Sequence, residues 1–444
     1  MEKRTVSKAD AALFELNGKP RWGAAIPQAM QHVLAMLVGN ITPPILIAQL
    51  LGLPEEEKII LMQAAMLIGG ITTLIQLFPV LGFGMNLPNV MGVAFAYMPI
   101  LSSIGLAYGI RAIFGAQLVG AFASIFIGMF IGKIRKFFPP IVCGTVVLSI
   151  GLSLYTTAIT YMAGGSATAE SFGTPKYWVI ALVVLAITLA CNLFGKGYLK
   201  VSGMLIGIAV GYVIALIWGG MISFENVKNA SWFMFPKFFY WVPEFHVSAI
   251  ISMILMYIVQ AVQTIGDVSS TAIGAFGREA TDKEIGGAIK GQGICGMLGA
   301  CMGGLPTDPY SQNVGLIVTT KVVAKRVFLI VGGIMIAAGF FPIFGAVMTT
   351  IPYPVLGGAT VTVFAAITMS GIQLISQQPL NYRNKMIVGI ALALAVGISS
   401  VPTSLQAFPE QVQNIIGKSP IVLAFLVAFL LNIIVPKDDS KEED

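Results

Sequence analysis

The stretch "YWVIALVVLAITLACNLF" (Tyr177–Phe194) holds no charged residue, and similar apolar runs recur from one end of the chain to the other. About 20 such residues, coiled as a helix, cross the roughly 30 Å of a bilayer's hydrocarbon. A soluble core cannot house so many of these runs, because its surface would lack polar cover. Charged residues make up only 10% of the 444, against about 25% in soluble domains, and mean hydropathy is +0.86. The fold class is therefore an all-α polytopic membrane protein embedded in a lipid bilayer. A β-barrel would show short alternating segments instead.

The apolar pattern places spans near 27–50, 58–79, 87–104, 110–131, 138–160, 177–195, 201–220, 246–268, 285–303, 309–320, 326–349, 352–375, 384–400 and 418–436. That makes 14 transmembrane spans, two of them irregular. With the N-terminus inside, 20 of the 26 basic residues fall on the cytoplasmic side. Only Lys58, Arg111, Lys176, Lys228, Lys237 and Lys418 stay outside. Such a bias sets orientation. Dropping either irregular span would reverse everything after it, so the short segments near 90 and 310 are expected to cross. Both termini are then cytoplasmic: a tail at 1–26 without the apolar core of a signal peptide, and a second tail at 437–444. A net charge of +6 follows from these loops and calls for no nucleic acid. Cys143, Cys191, Cys295 and Cys301 lie in apolar stretches without metal-ligand spacing, and read as structural thiols.

Two echoes divide the chain into halves. "FPPIVCGT" (138–145) matches "YPVLGGA" (353–359), and "LPNVMGVAF" (87–95) matches "LPTDPYSQNVGLI" (305–317). Seven spans per half, an odd number, make two inverted repeats. Paired short segments broken by Gly and Pro mark the binding site of secondary transporters built this way. Irregular backbone at membrane depth survives only inside protein or along a cavity. "VAFAY" and "VGLIVTT" are rich in β-branched and aromatic residues, which suit extended chain. Short extended stretches in spans 3 and 10 are thus expected to meet near the midplane, with following half-helices aiming amides at a ligand.

Polar residues inside spans are costly and face a cavity or a partner. Gln260, Gln263 and Asp267 stand at i, i+3 and i+7 in span eight and share one helix face. The glutamines can be interhelical glue or ligand contacts. His32 in span one reads as a structural or orienting residue ahead of a proton carrier. Gln292 reads equally as site support or as a partner for a neighbouring helix. Gln312 and Asn313 resemble capping residues, yet the residues from Asn313 to Lys321 cover about 23 Å extended or about 10 Å as helix. Either distance puts Asn313 inside the membrane. Asp308 lies nearer the outside and reads as part of a solvated loop. Neither a metal cluster nor a nucleophile triad appears in the spans, so no catalytic residue is assigned and the chain is not read as an enzyme.

Gln312-Asn313-x-Gly315-x4-Thr320-Lys321 resembles the signature of the nucleobase–ascorbate transporter (xanthine/uracil permease) family, Gln/Glu-Asn-x-Gly-x4-Thr-Arg/Lys/Gly. "QHVLAM", "LPNVMGVAFA", "TIGDVSSTA" and "IPYPVLGGA" resemble its first, third, eighth and twelfth spans. The resemblance implies a core domain of spans 1–4 and 8–11 (27–131 and 246–349) and a gate domain of spans 5–7 and 12–14 (132–245 and 350–436). It further implies a plasma-membrane homodimer that moves its substrate by an elevator-like displacement. Carried over, Gln312 binds the base, Asn313 supports it, and Phe95 lines the pocket beside Ala94; Thr320 closes the motif. Gln at the motif's first position and the pair Gly266-Asp267 resemble the purine branch, which takes xanthine or urate.

Two positions depart from the family. Glu is usual where this chain has Gln263, and purine members often have Asp near Gln292. An amide pairs with an imide edge by donating and accepting, but it does not titrate. Coupling to H+ or Na+ then falls to Asp267 or His32, or is absent. The expected function is secondary active purine transport. The alternatives are an uncoupled facilitator and an anion exchanger of the related sulfate-permease architecture.

Overall fold

A computed structural model describes residues 11–134, 138–165, 169–195, 199, 202–224, 227–228, 230–409, 412–413, 417 and 420–436. The C-terminal tail at 437–444 lies outside the described residues, as do Lys3, Arg4, Lys8, Arg135, Lys136, Lys196, Lys200 and Lys418.

The chain runs through α1 (Trp22–Leu50), α2 (Glu55–Leu77), β1 (Met91–Val93), α3 (Met98–Tyr108), α4 (Ile110–Met129), α5 (Pro140–Met162), α6 (Pro175–Phe194) and α7 (Gly203–Trp218). It continues through α8 (Val247–Phe276), α9 (Asp282–Met302), β2 (Thr307–Pro309), α10 (Ser311–Thr320), α11 (Lys325–Gly339) and α12 (Pro342–Thr349). The last elements are α13 (Tyr353–Ile375), α14 (Tyr382–Ser400) and α15 (Pro420–Ile434). Among the described residues, eight helices are long and apolar enough to cross a bilayer, or nine if the bent pair α11–α12 is one span. The other expected spans fall on shorter or more polar elements.

Local chemistry explains many of the helix ends. Proline opens α5, α6 and α12 at N1, where a missing N–H costs nothing. Gly277 and Gly303 close α8 and α9 in the left-handed region. Thr281 and Glu284 form a reciprocal capping box at the start of α9. The expected single span at 326–349 is broken: α11 and α12 meet at 81°, because Pro342 supplies no N–H to continue α11. Span eight runs further than expected, to Phe276, which carries Asp267 well inside the helix. The expected N-terminal tail is shorter, since α1 begins at Trp22. The segment before it is docked: Leu13 O accepts from Val323 N (2.9 Å), and the Arg326 guanidinium lies 4.0 Å from the Trp22 ring centre.

α5 packs along α13, and small residues allow the approach. A Cβ on Gly371 would come within 2.4 Å of Leu148 N. Loops assigned by charge to one side also meet each other. At one end Lys237 pairs with Glu56 (3.2 Å) and Arg111 with Glu244 (3.0 Å). At the opposite end Lys325 donates to Asn86 (2.6 Å), Arg326 to Pro20 O (3.0 Å) and Lys321 to Gly274 O.

Candidate functional site

The site is organised by two three-residue strands. β1 and β2 pair antiparallel, with Met91 opposite Pro309, Gly92 opposite Asp308 and Val93 opposite Thr307. Antiparallel strands send alternate residues to the partner, and Ala94 N reaches Pro306 O (2.9 Å) while Tyr310 N reaches Val90 O (3.0 Å). The amides pointing the other way need other acceptors, because hydrocarbon offers none. Met91 N donates to Thr73 Oγ1 (3.0 Å) and Val93 N to Asn40 Oδ1 (2.8 Å). Asn40 in turn donates to Ala65 O (3.1 Å). Gly92 is required here: a Cβ would lie 2.4 Å from the ring of Tyr310, whose hydroxyl donates to Val93 O (2.9 Å).

The extended stretches therefore exist, but not where composition placed them. "VGLIVTT" is helical, within α10, and "VAFAY" contributes only Val93 to a strand before a single tight turn at Phe95–Tyr97. Prolines decide the matter. Pro306 and Pro309 push the residues before them out of the helical region, which holds the chain extended through Asp308 and lets the helix begin at Ser311.

Beside the strands lies a cavity of about 660 Å³, within the roughly 300–1,000 Å³ usual for small-molecule sites. One wall comes from α8, β2 and α10, with Gln263, Asp267, Asp308, Ser311 and Gln312; Phe95 and Ala96 close its floor. The facing wall comes from α5 and α13, including Val147, Ile150, Val363 and Ser370. Phe95 meets Phe364 edge-to-face at 5.3 Å. Lining residues on α8 run from Gln263 to Gly274, about 16 Å along the helix, toward the end that carries Lys321 and Arg278.

Gln260, Gln263 and Asp267 share the face expected of them. Gln260 Nε2 and Gln263 Nε2 both donate to Asp308 Oδ2, at 3.2 and 3.3 Å. Ser311 Oγ donates to Asp267 Oδ1 at 2.9 Å. Gln312 projects from the first turn of α10 into the cavity, where the helix's leading amides have no partner within the helix.

Other expected site residues lie elsewhere. Asn313 does not line the cavity: it is fully buried on the opposite face of α10, donating through Nδ2 to His32 O (3.0 Å) and sitting 3.1 Å from His32 Nδ1. One helical step of about 100° separates it from Gln312. His32 also packs on Phe328 (4.8 Å) and is away from the cavity. Ala94 is buried behind the strands, and Ala96 takes the lining position. Gln292 sits behind α8, accepting from Thr264 Oγ1 (3.0 Å). Thr320 ends α10, donating to Leu316 O (2.7 Å), while Thr319 lines the cavity. The expectation of a solvated loop at Asp308 is overturned: the residue is 4% exposed, at the centre of β2. Its position between Pro306 and Pro309, directly before the second, was the available signal. No group of three or more His, Cys, Asp or Glu suited to a metal occurs among the described residues.

Residues 23–404 match the model of the Permease family of xanthine and uracil permeases. The chain belongs to the nucleobase–ascorbate transporter family. A uric acid permease of Bacillus subtilis (strain 168) is 34% identical over 93% of this chain and 93% of its own length. The xanthine permease of the same organism is 33% identical over 93% and 94%, and that of Escherichia coli (strain K12) 30% over 96% and 95%. Among solved structures, murine Solute Carrier 26 family member A9, an anion transporter in the inward-facing state, gives a TM-score of 0.64 at 11% identity, over 98% of this chain and 73% of that one. The transmembrane domain of a cyanobacterium bicarbonate transporter gives 0.58 at 14% identity, over 91% and 97%. These two likenesses are of fold. The family member described here is a multi-pass membrane permease, not an enzyme.

Proposed function

We propose that this permease is a secondary active transporter of purine bases such as xanthine or urate, and that the cavity between α8–α10 and α5–α13 is its binding site. The supporting observation is the pairing of Gln312 and Gln263 on one wall with Phe95 below them. Two amides match the alternating N–H and C=O edge of an oxidised purine, and an aromatic ring receives its face. Relatives named as xanthine and uric acid permeases agree with this reading.

Movement follows from the cavity's two walls. Core spans (27–131 and 246–349) carry the polar wall and slide against gate spans (132–245 and 350–436) in an elevator-type cycle. The fourteen-span, inverted-repeat arrangement, a homodimer in the plasma membrane and cytoplasmic termini complete this proposal. Since the cavity extends toward the end rich in basic loop residues, the conformation is inward-facing. Coupling is to a cation, H+ or Na+.

A thermal-shift and binding screen of xanthine, urate, hypoxanthine, uracil, ascorbate, sulfate and bicarbonate tests the reading. Xanthine or urate should bind, and Gln312→Ala should weaken binding at least tenfold in a protein that still folds. Normal uptake by Gln312→Ala would remove the site from this cavity. Competition by inorganic anions, with purines inert, would favour the anion exchanger; purine flux that ignores ion gradients would favour the uncoupled facilitator.

A further inference from the structure

We propose that Asp308 is the acid that carries the coupled proton, with Gln260 holding its protonated form. The assignment rests on the purine-transport reading above and adds the residue through which transport is driven.

Asp308 lines the cavity from the middle of β2. Its Oδ2 takes two amide hydrogen bonds, from Gln260 and Gln263, while Oδ1 has no partner. The side-chain oxygen of Gln260, Oε1, is also without one. Two buried acceptors left empty in one pair of side chains is an unstable arrangement unless a donor is added. A carboxylic acid and a primary amide can close a ring of two hydrogen bonds: amide N–H to one acid oxygen, acid O–H to the amide oxygen. Here the first bond is made, and the two empty atoms are those of the second. A single proton on Oδ1 supplies the donor that both lack.

Asp267, the other carboxyl lining the cavity, also has an oxygen without a partner, Oδ2, but its Oδ1 takes the Ser311 hydroxyl, whereas the empty acceptor of Gln260 belongs to a side chain already bonded to Asp308. Among the described residues the ion pairs lie in the connecting loops and near helix ends, and none reaches it. Asp267 of α8, Tyr97 beyond β1 and Tyr310 beyond β2 are the titratable groups near it. On the α9 and α2 side, Cys295 adjoins Thr72, which Thr307 reaches at 3.4 Å. The cavity wall from α5 and α13 presents no titratable side chain. His32 is turned to Asn313 and away from the cavity. The glutamate that the family resemblance leads one to expect at Gln263 is thus displaced by one hydrogen bond, from helix to strand. In the step itself, a hydronium ion in the cavity gives its proton to Oδ1; an O–H bond forms, the carboxylate becomes neutral and water leaves. Release on the other side reverses it.

The test uses the full-length protein in proteoliposomes with an imposed pH gradient and labelled xanthine. Wild type should accumulate xanthine and lose accumulation with an uncoupler. Asp308→Asn should lower the steady-state accumulation ratio at least tenfold, with residual exchange that no longer depends on pH. Asp308→Asn/Gln263→Glu, which returns an acid to the helix, should regain uncoupler-sensitive accumulation; it also serves if the single variant does not fold. Accumulation by Asp308→Asn equal to wild type would overturn the assignment, as would a folded double variant that does not accumulate. Wild-type uptake indifferent to the uncoupler, with xanthine binding intact, overturns Asp308 as carrier and leaves the purine reading standing. Failure of wild type to bind any purine overturns that reading first.

Discussion

Replacing Thr73 by Val tests whether helix side chains hold the strand crossing together. Thr73 Oγ1 is the acceptor for Met91 N at 3.0 Å, in a fully buried position. Valine keeps the shape and removes only the oxygen. Its own bond to Gly69 O (2.8 Å) is of little consequence, since that carbonyl belongs to a helix. The Met91 N–H is left without a partner in a dry site, which costs about 1–3 kcal/mol. Asn40→Ala orphans Val93 N in the same way, at 2.8 Å in the native protein, and also vacates the space of the amide. It should cost more than Thr73→Val. The two amides sit on alternate residues of one three-residue strand, so the double variant should cost less than the sum by about 0.5 kcal/mol or more. Denaturant unfolding of the purified protein in detergent reads all three. Xanthine affinity should fall with stability in Asn40→Ala, because β1 sets the position of Asp308 through Gly92. If both single variants lie within about 0.5 kcal/mol of wild type, the range of ordinary surface changes, the outward amides have other partners and the reasoning fails.

Three further outcomes follow from the packing. Gly92→Ala drives a methyl group to within 2.4 Å of the Tyr310 ring, so thermal unfolding should show a loss of about 1–3 kcal/mol, and adding Tyr310→Ala should return part of it. Asn313→Ala removes the bond to His32 O and should lower stability by about 1–3 kcal/mol, yet weaken xanthine binding less than Gln312→Ala does; the reverse order in a binding assay would place Asn313 at the substrate. Thr281→Ala breaks the capping box of α9 and should cost about 1 kcal/mol, read by unfolding, with transport kinetics unchanged.

Much of the architecture was legible because the bilayer permits so few solutions. Apolar runs gave the helices, and the bias of basic residues toward one side led to the expectation that the short segments near 90 and 310 cross. Propensity misled at "VGLIVTT", where five β-branched residues pointed to a strand. Pro306 and Pro309, which hold the residues before them extended, outweighed them, and helix formation after Pro309 satisfied backbone that an isolated strand would have left bare. The bend between α11 and α12 was signalled by Pro342, but an apolar run of adequate length masked it. Boundaries erred in the same direction for α1 and α8, whose ends carry polar residues that hydropathy discounts.

At the site, helical periodicity worked where residues share one helix and failed where backbone direction changes. Gln260, Gln263 and Asp267 were placed together by spacing alone. Gln312 and Asn313 are neighbours in sequence, but on a helix neighbours diverge, so only one can face the cavity; the motif suggested both. Asp308 is assigned to solvent by sequence because it stands far from Lys321, a residue expected on the cytoplasmic side, a distance measured along a chain assumed to keep one direction. The pairing of β2 with β1 instead folds that segment into the protein interior, against the face of α8. An acid in that position has to be judged by what its oxygens touch. With two glutamines on one oxygen and none on the other, Asp308 is a cavity carboxyl from outside α8 that is bonded to the helix where the acid was expected.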